Sequence, residues 1–210
     1  MSRTRQSIVV VGDHLVAGHG DGRGLGWVGR VAARTYPSVP TADFYTLAAP
    51  DEDSTGLAER CMTEASRRFS PTTDNRLVLG LGAGDTETGI SVARARLNIA
   101  NVLDSALTAE VSAFVVGPAP VRDAERNRLL AEFNTGFADV AHRRGIPYVD
   151  TFTPLRTHPV WQRELASTRA GTPAQEGYGL MAWLVLHRGW FDWFGVEDAQ
   201  IGRASCRERV

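Results

Sequence analysis

The sequence predicts an α/β protein, a three-layer α/β/α sandwich around a five-stranded parallel sheet. Short runs rich in Val, Ile and Leu alternate with longer stretches of helical spacing, the pattern of strand–helix–strand units. The runs are apolar throughout, as strands covered on both faces are. Several stop at Gly or Gly-Asp, where the chain turns at the carboxyl edge of a sheet and ligands bind.

Each element follows in order. Residues 8–11 form a β-branched run closed by Gly12 and Asp13, the first strand. After a glycine-rich stretch, 18–26, the spacing from Trp27 to about Thr35 suits a helix, and 42–47 a second strand. Residues 57–69 have helical spacing, 76–81 make a third strand, and 92–107 a second clear helix. A fourth strand, 111–117, is broken by Pro118 and Pro120. The long amphipathic stretch 123–144 predicts a helix ended by Gly145, with 146–149 as a fifth strand and a last helix over about 173–187. His14 is placed where the first strand feeds into a helical turn, whose free N–H groups would favour an anion.

A chain of 210 residues can bury a large core without disulfides or metals. Residues 1–199 read as one domain, and 200–210, QIGRASCRERV, as a non-native or disordered tail. A net charge of -1 gives no general attraction to nucleic acid or anionic membrane, so neither is expected as a partner. The apolar stretch after the polar start is too short for a signal core or a membrane span, which predicts a cytoplasmic protein. Cys61 and Cys206 show no metal or redox spacing, no His, Cys, Asp or Glu pattern suggests a metal, and no cofactor is expected.

The segment VVVGDHLVAGHGDGRGLGWVGRV resembles the first block of bacterial SGNH (GDSL-type) hydrolases, where Gly-Asp-Ser-Leu precedes Gly-Asp and Gly-Trp. LVLGLGAGDT, FVVGPAPV, RRGIPYVDTFTPL and TPAQEGYGLMAWLVL continue the resemblance in the family's order across nearly all of 8–195. It implies the flavodoxin-like SGNH-hydrolase fold. It also implies a degenerate member lacking the catalytic residues. His14 falls where the family has its nucleophilic serine, and Arg169 and Thr172 where it has the Asp and His of Asp-x-x-His-Pro. Asp51 falls at the block-two glycine, and Gly84 replaces the asparagine of Gly-x-Asn-Asp, removing one donor for an oxyanion and leaving a carboxylate nearby.

These replacements predict a rebuilt pocket. Its expected catalytic residues are His14, Asp13 and Asp85, and its expected ligand-binding residues Arg169, Asp51, Gly84 and Thr172. Asp13 and Asp85 can equally serve as scaffold, and Arg169 can simply pair with Asp51. The expected function is non-hydrolytic: binding an anionic small molecule in bacterial specialised metabolism and promoting elimination or ring closure, alone or as a subunit of a hetero-oligomeric biosynthetic complex. The alternatives are an inactive pseudoenzyme that serves as a partner or binding subunit, and an atypical esterase or acyltransferase using His14 or Ser54. His19 and Asp21 read as solvent-exposed loop residues, His142 and His158 as surface residues, and His187 as a helix cap. Trp183, Trp190, Phe191, Trp193 and Phe194 read as packing of the last helix, with a partner surface as the other possibility.

Overall fold

The computed structural model describes residues 5–198. Five parallel strands, β1 (Gln6–Gly12), β2 (Ala42–Ala48), β3 (Asp74–Gly80), β4 (Ser112–Val116) and β5 (Tyr148–Val149), lie in the order β2-β1-β3-β4-β5. Alternate residues of one strand feed opposite cores. Ile8 and Val10 pack with Val78, Phe114 and Val116 under α1 (Gly26–Thr35) and a helix near the C-terminus. Val9 and Val11 pack with Leu77, Leu79 and Val115 under α2 (Ser54–Ala65), α4 (Val92–Thr108) and α5 (Ala124–His142). This gives the predicted α/β/α sandwich, and explains why the strand runs carry no polar alternation.

Chain direction across the sheet reverses between β1 and β3, so a crevice opens at the carboxyl ends of these two strands. There Gly12 pairs with Gly80, and a Cβ on Gly12 would come within 2.7 Å of Val16 Cγ2, so the two strand ends meet without side chains between them.

Element boundaries differ from expectation where local signals compete. The helix expected over 57–69 starts at Ser54, because the Asp53 side chain accepts from Thr55 N–H and Gly56 N–H, and ends at Ala65 in a 3₁₀ turn, Ser66–Arg68. The helix expected over 173–187 is α8 (Gln175–Val185), followed by an irregular segment, Leu186–Trp190, in which Gly189 takes φ 96°, and by α9 (Phe191–Phe194). Three further helices, α3 (Asp85–Thr88), α6 (Phe152–Leu155) and α7 (Pro159–Ser167), form where the sequence suggested loop. Helix α7 has a proline in its first turn and buries Trp161, Glu164 and Leu165 on one face. Trp190 and Phe191 are buried and Trp193 and Phe194 pack against the same core, whereas Trp183 is exposed and stacked on His187. His187 Nδ1 lies 2.8 Å from the Trp183 carbonyl, consistent with a cap. No helix of the described residues is long and apolar enough to cross a membrane. The expectations for Cys206 and for 200–210 lie outside the described residues.

Candidate functional site

Asp13 ends β1 pointing inward. Its Oδ1 accepts from Leu15 N–H at 2.9 Å, and a Cβ on Gly82 would lie within 2.6 Å of its Cγ, so glycine is required for the carboxyl group to fit. Burial pushes the Asp13 carboxyl above the ordinary carboxylate range. His14 and the Leu15 N–H oppose that rise, while Asp51 and Glu52 add to it. The chain then makes consecutive turns closed by Val16 N–H to Asp13 O and His19 N–H to His14 O. Residues 14–20 thus run as hydrogen-bonded turns and do not extend into a regular helix.

His14 Nδ1 lies 3.4 Å from Asp51 Oδ1 and 3.7 Å from Asp13 Oδ2. Both are within ion-pair range, yet neither contact has hydrogen-bond geometry, and Nδ1 is buried without a hydrogen-bond partner. The His14 side chain is partly exposed and lines the cleft. Asp51 holds φ 51°, the left-handed region that favours glycine. Its side chain is 74% exposed.

The cleft measures about 520 Å³ and also takes lining from Gly84, Arg122, Arg126, Arg169 and Thr172. Arg126 is committed to Glu87 at 2.7 Å and to Thr86 Oγ1 at 2.9 Å. Arg122 and Arg169 make no ion pair or hydrogen bond among the described residues, so the expected alternative of an Arg169–Asp51 pair is not formed. Thr172 is buried and its carbonyl accepts from Thr168 Oγ1 at 2.7 Å. Glu164, buried on α7, holds the next turn: its carboxylate accepts from Ala174 N–H and Gly177 N–H at 2.7 Å and from Glu176 N–H at 3.0 Å.

Six of the seven expected site residues thus meet at one cleft. Asp85 does not line it. Its Oδ1 instead accepts from Ser54 N–H and Ser54 Oγ–H, both at 2.8 Å, and burial raises its pKa against those bonds. Ser54 is buried, and its Oγ also accepts from Asn98 Nδ2 at 3.1 Å, which leaves this hydroxyl committed to scaffold. Asp21 is a second correction. Far from solvent, its side chain accepts from Arg23 N–H at 3.0 Å and Gly26 N–H at 2.9 Å and pairs with Arg30, which lowers its pKa to about 2. It staples the glycine-rich loop. Sequence reasoning missed Arg122, Arg126 and Glu164. Arg122 follows Pro120-Val121 just past the carboxyl end of β4, a position that could have marked it. No group of three or more His, Cys, Asp or Glu among the described residues could hold a metal ion.

Chemically, this arrangement offers an imidazole for proton transfer, two carboxylates within ion-pair range of its Nδ1, and two unpaired arginines for an anion.

No curated protein matches the chain. Among solved structures it is similar to a lipase/acylhydrolase from Enterococcus faecalis, at 17% identity and TM-score 0.70 over 92% of this chain and 98% of that one. A catalytic mutant of an acetylxylan esterase from Geobacillus stearothermophilus superimposes at TM-score 0.71 and 12% identity, over 92% of this chain and 98% of that one. A member of the lipolytic G-D-S-L family from Veillonella parvula gives 0.68 and 18%, over 86% and 96%. These likenesses concern the fold. The model of the GDSL-like lipase/acylhydrolase family matches residues 10–180, most of the sequence, and the chain belongs to that family.

Proposed function

We propose that the cleft binds an anionic small molecule and that His14 moves a proton on it, in a step that does not pass through an acyl-serine. The observation that carries this reading is the placement of two arginines without an ion-pair partner, Arg122 and Arg169, on the lining of the cleft that His14 also lines. An exposed arginine without a partner is ordinary. Two of them on the lining of one concave site with a histidine make an anion site the economical explanation.

The resemblance sets His14 at the family's serine position, and the hydroxyl of Ser54 is buried against Asp85 and Asn98. Gly84 supplies no side-chain amide, and Asp51 adds a carboxylate whose charge opposes a developing oxyanion. On this reading an ester hydrolysis would lack a serine nucleophile and one side-chain donor for its oxyanion. Proton abstraction by the His14 ring, with Asp51 and Asp13 within ion-pair range to stabilise the imidazolium that forms, needs neither. In an elimination or a ring closure the base takes one proton, the new bond forms within the substrate, and an oxyanion leaves with the displaced electron pair. Arg122 and Arg169 would receive that leaving group.

The reading is tested by titrating the protein with inorganic phosphate while following the histidine side-chain nitrogens by NMR. The His14 Nε2 resonance is expected to move, and to stop moving in Arg122→Ala and Arg169→Ala. A response that persists unchanged in both variants overturns it.

A further inference from the structure

The charges on the cleft do not add up to a simple anion site. Its lining carries Arg122, Arg126 and Arg169 against Asp13, Asp51, Glu87 and Asp123. Most of these are spent within the protein. Arg126 and Glu87 neutralise each other, Asp123 accepts from Arg126 N–H at 2.8 Å as the cap of α5, and Asp13 is buried on the Leu15 amide. What stays available is Arg122 and Arg169 with no partner, and Asp51, exposed, with His14 as its one charged neighbour within ion-pair range. The segments that carry Arg122 and Arg169 adjoin: a Cβ on Gly171, two residues past Arg169, would touch the Arg122 stem at 3.8 Å. Asp51 and His14 lie on the loops that follow β2 and β1.

We propose that the ligand is zwitterionic, an anionic group set on Arg122 and Arg169 and an ammonium or other basic nitrogen set against Asp51 and His14. This rests on the anion-site reading above and narrows it. A ligand with only negative charge would satisfy the arginines but face the Asp51 carboxylate unpaired, whereas a ligand with both charges compensates both ends. The Asp51 carboxylate and the His14 ring then meet a protonated amine, which has no free lone pair and must lose a proton before it can act as a nucleophile.

The test is calorimetric titration with three probes: inorganic phosphate, ethylamine and O-phosphoethanolamine. Phosphoethanolamine should bind about fivefold more tightly than phosphate, the worth of one partly exposed ion pair. Asp51→Asn should abolish that advantage by weakening phosphoethanolamine relative to phosphate, whose own affinity should hold or rise as the opposing carboxylate is removed. Asparagine tolerates the positive φ of this position, so the variant keeps the loop. Arg122→Ala and Arg169→Ala should each weaken both phosphate-bearing probes. Equal affinity for phosphate and phosphoethanolamine, or an Asp51→Asn effect equal on both, overturns the zwitterion assignment and leaves the anion site standing. Phosphate binding that ignores both arginine variants, or no binding of either phosphate probe at millimolar concentration, overturns the anion site and the assignment with it.

Discussion

Gly84→Ala tests how tightly the Asp51 loop packs onto the edge of the cleft. At φ -56° and ψ -38° the residue has ordinary helical geometry, so backbone conformation does not demand glycine. Space does. A Cβ here would stand 2.6 Å from Glu52 C and 2.8 Å from Asp53 N, with the Glu52 carbonyl oxygen closer still. All three are main-chain atoms of the loop that carries Asp51 and caps α2, and they cannot rotate away. Overpacking against such atoms costs about 3 kcal/mol, at the upper end of the usual range. Against it stands the gain from replacing glycine at a helix-compatible position, about 1 kcal/mol. The net expectation is a loss of about 2 kcal/mol, which in a chain of this size lowers Tm by roughly 4–8 °C. Thermal unfolding followed by circular dichroism measures it. An unchanged or raised Tm would refute the claim that the Asp51 loop has closed onto this position, because propensity alone predicts stabilisation.

Other variants test the supports of the site. Asp21→Asn should cost about 2 kcal/mol near neutral pH through loss of charge-assisted bonds; because the folded pKa of Asp21 lies at about 2, below its unfolded value, the wild-type advantage should fade as pH falls from about 4 toward 2, as urea titrations across that range will report. Asp85→Asn should show the opposite sign. Burial raises the Asp85 pKa, so its contribution is full below the unfolded value and lost as pH rises, and the amide oxygen can still accept both Ser54 bonds; the variant should gain on wild type between about pH 3 and 7. Glu164→Ala should cost about 3 kcal/mol by leaving three amides without their acceptor, and hydrogen exchange should rise at residues 174–177.

The sheet was legible because its signal is local. Ile8, Val9, Val10 and Val11 leave no polar face, and Gly12-Asp13 marks where the strand stops. Helix α7 was hidden because its signal is brief: Pro159, Trp161, Glu164 and Leu165 span little more than one turn of pattern. The positions of His14, Asp51, Gly84, Arg169 and Thr172 came from several motifs in register, and the fold brings them to one cleft. Pairing was not legible. Asp21 sits among glycines and reads as solvent-exposed, but amides folded over it make it a buried staple. Asp85 follows a glycine-rich turn at the sheet edge like its neighbours, yet faces Ser54. Arg122 is one of many arginines in a chain without lysine, and only the three-dimensional census of partners separates it from the paired ones.

The central claim is that a member of a hydrolase family holds a working cleft without a serine nucleophile. Intact-mass analysis after incubation with a serine-directed fluorophosphonate, run beside a p-nitrophenyl ester assay, tests it most directly. The account predicts no covalent adduct and no ester turnover above the spontaneous rate. An adduct mapped to a serine, with ester turnover that the reagent abolishes, would contradict it.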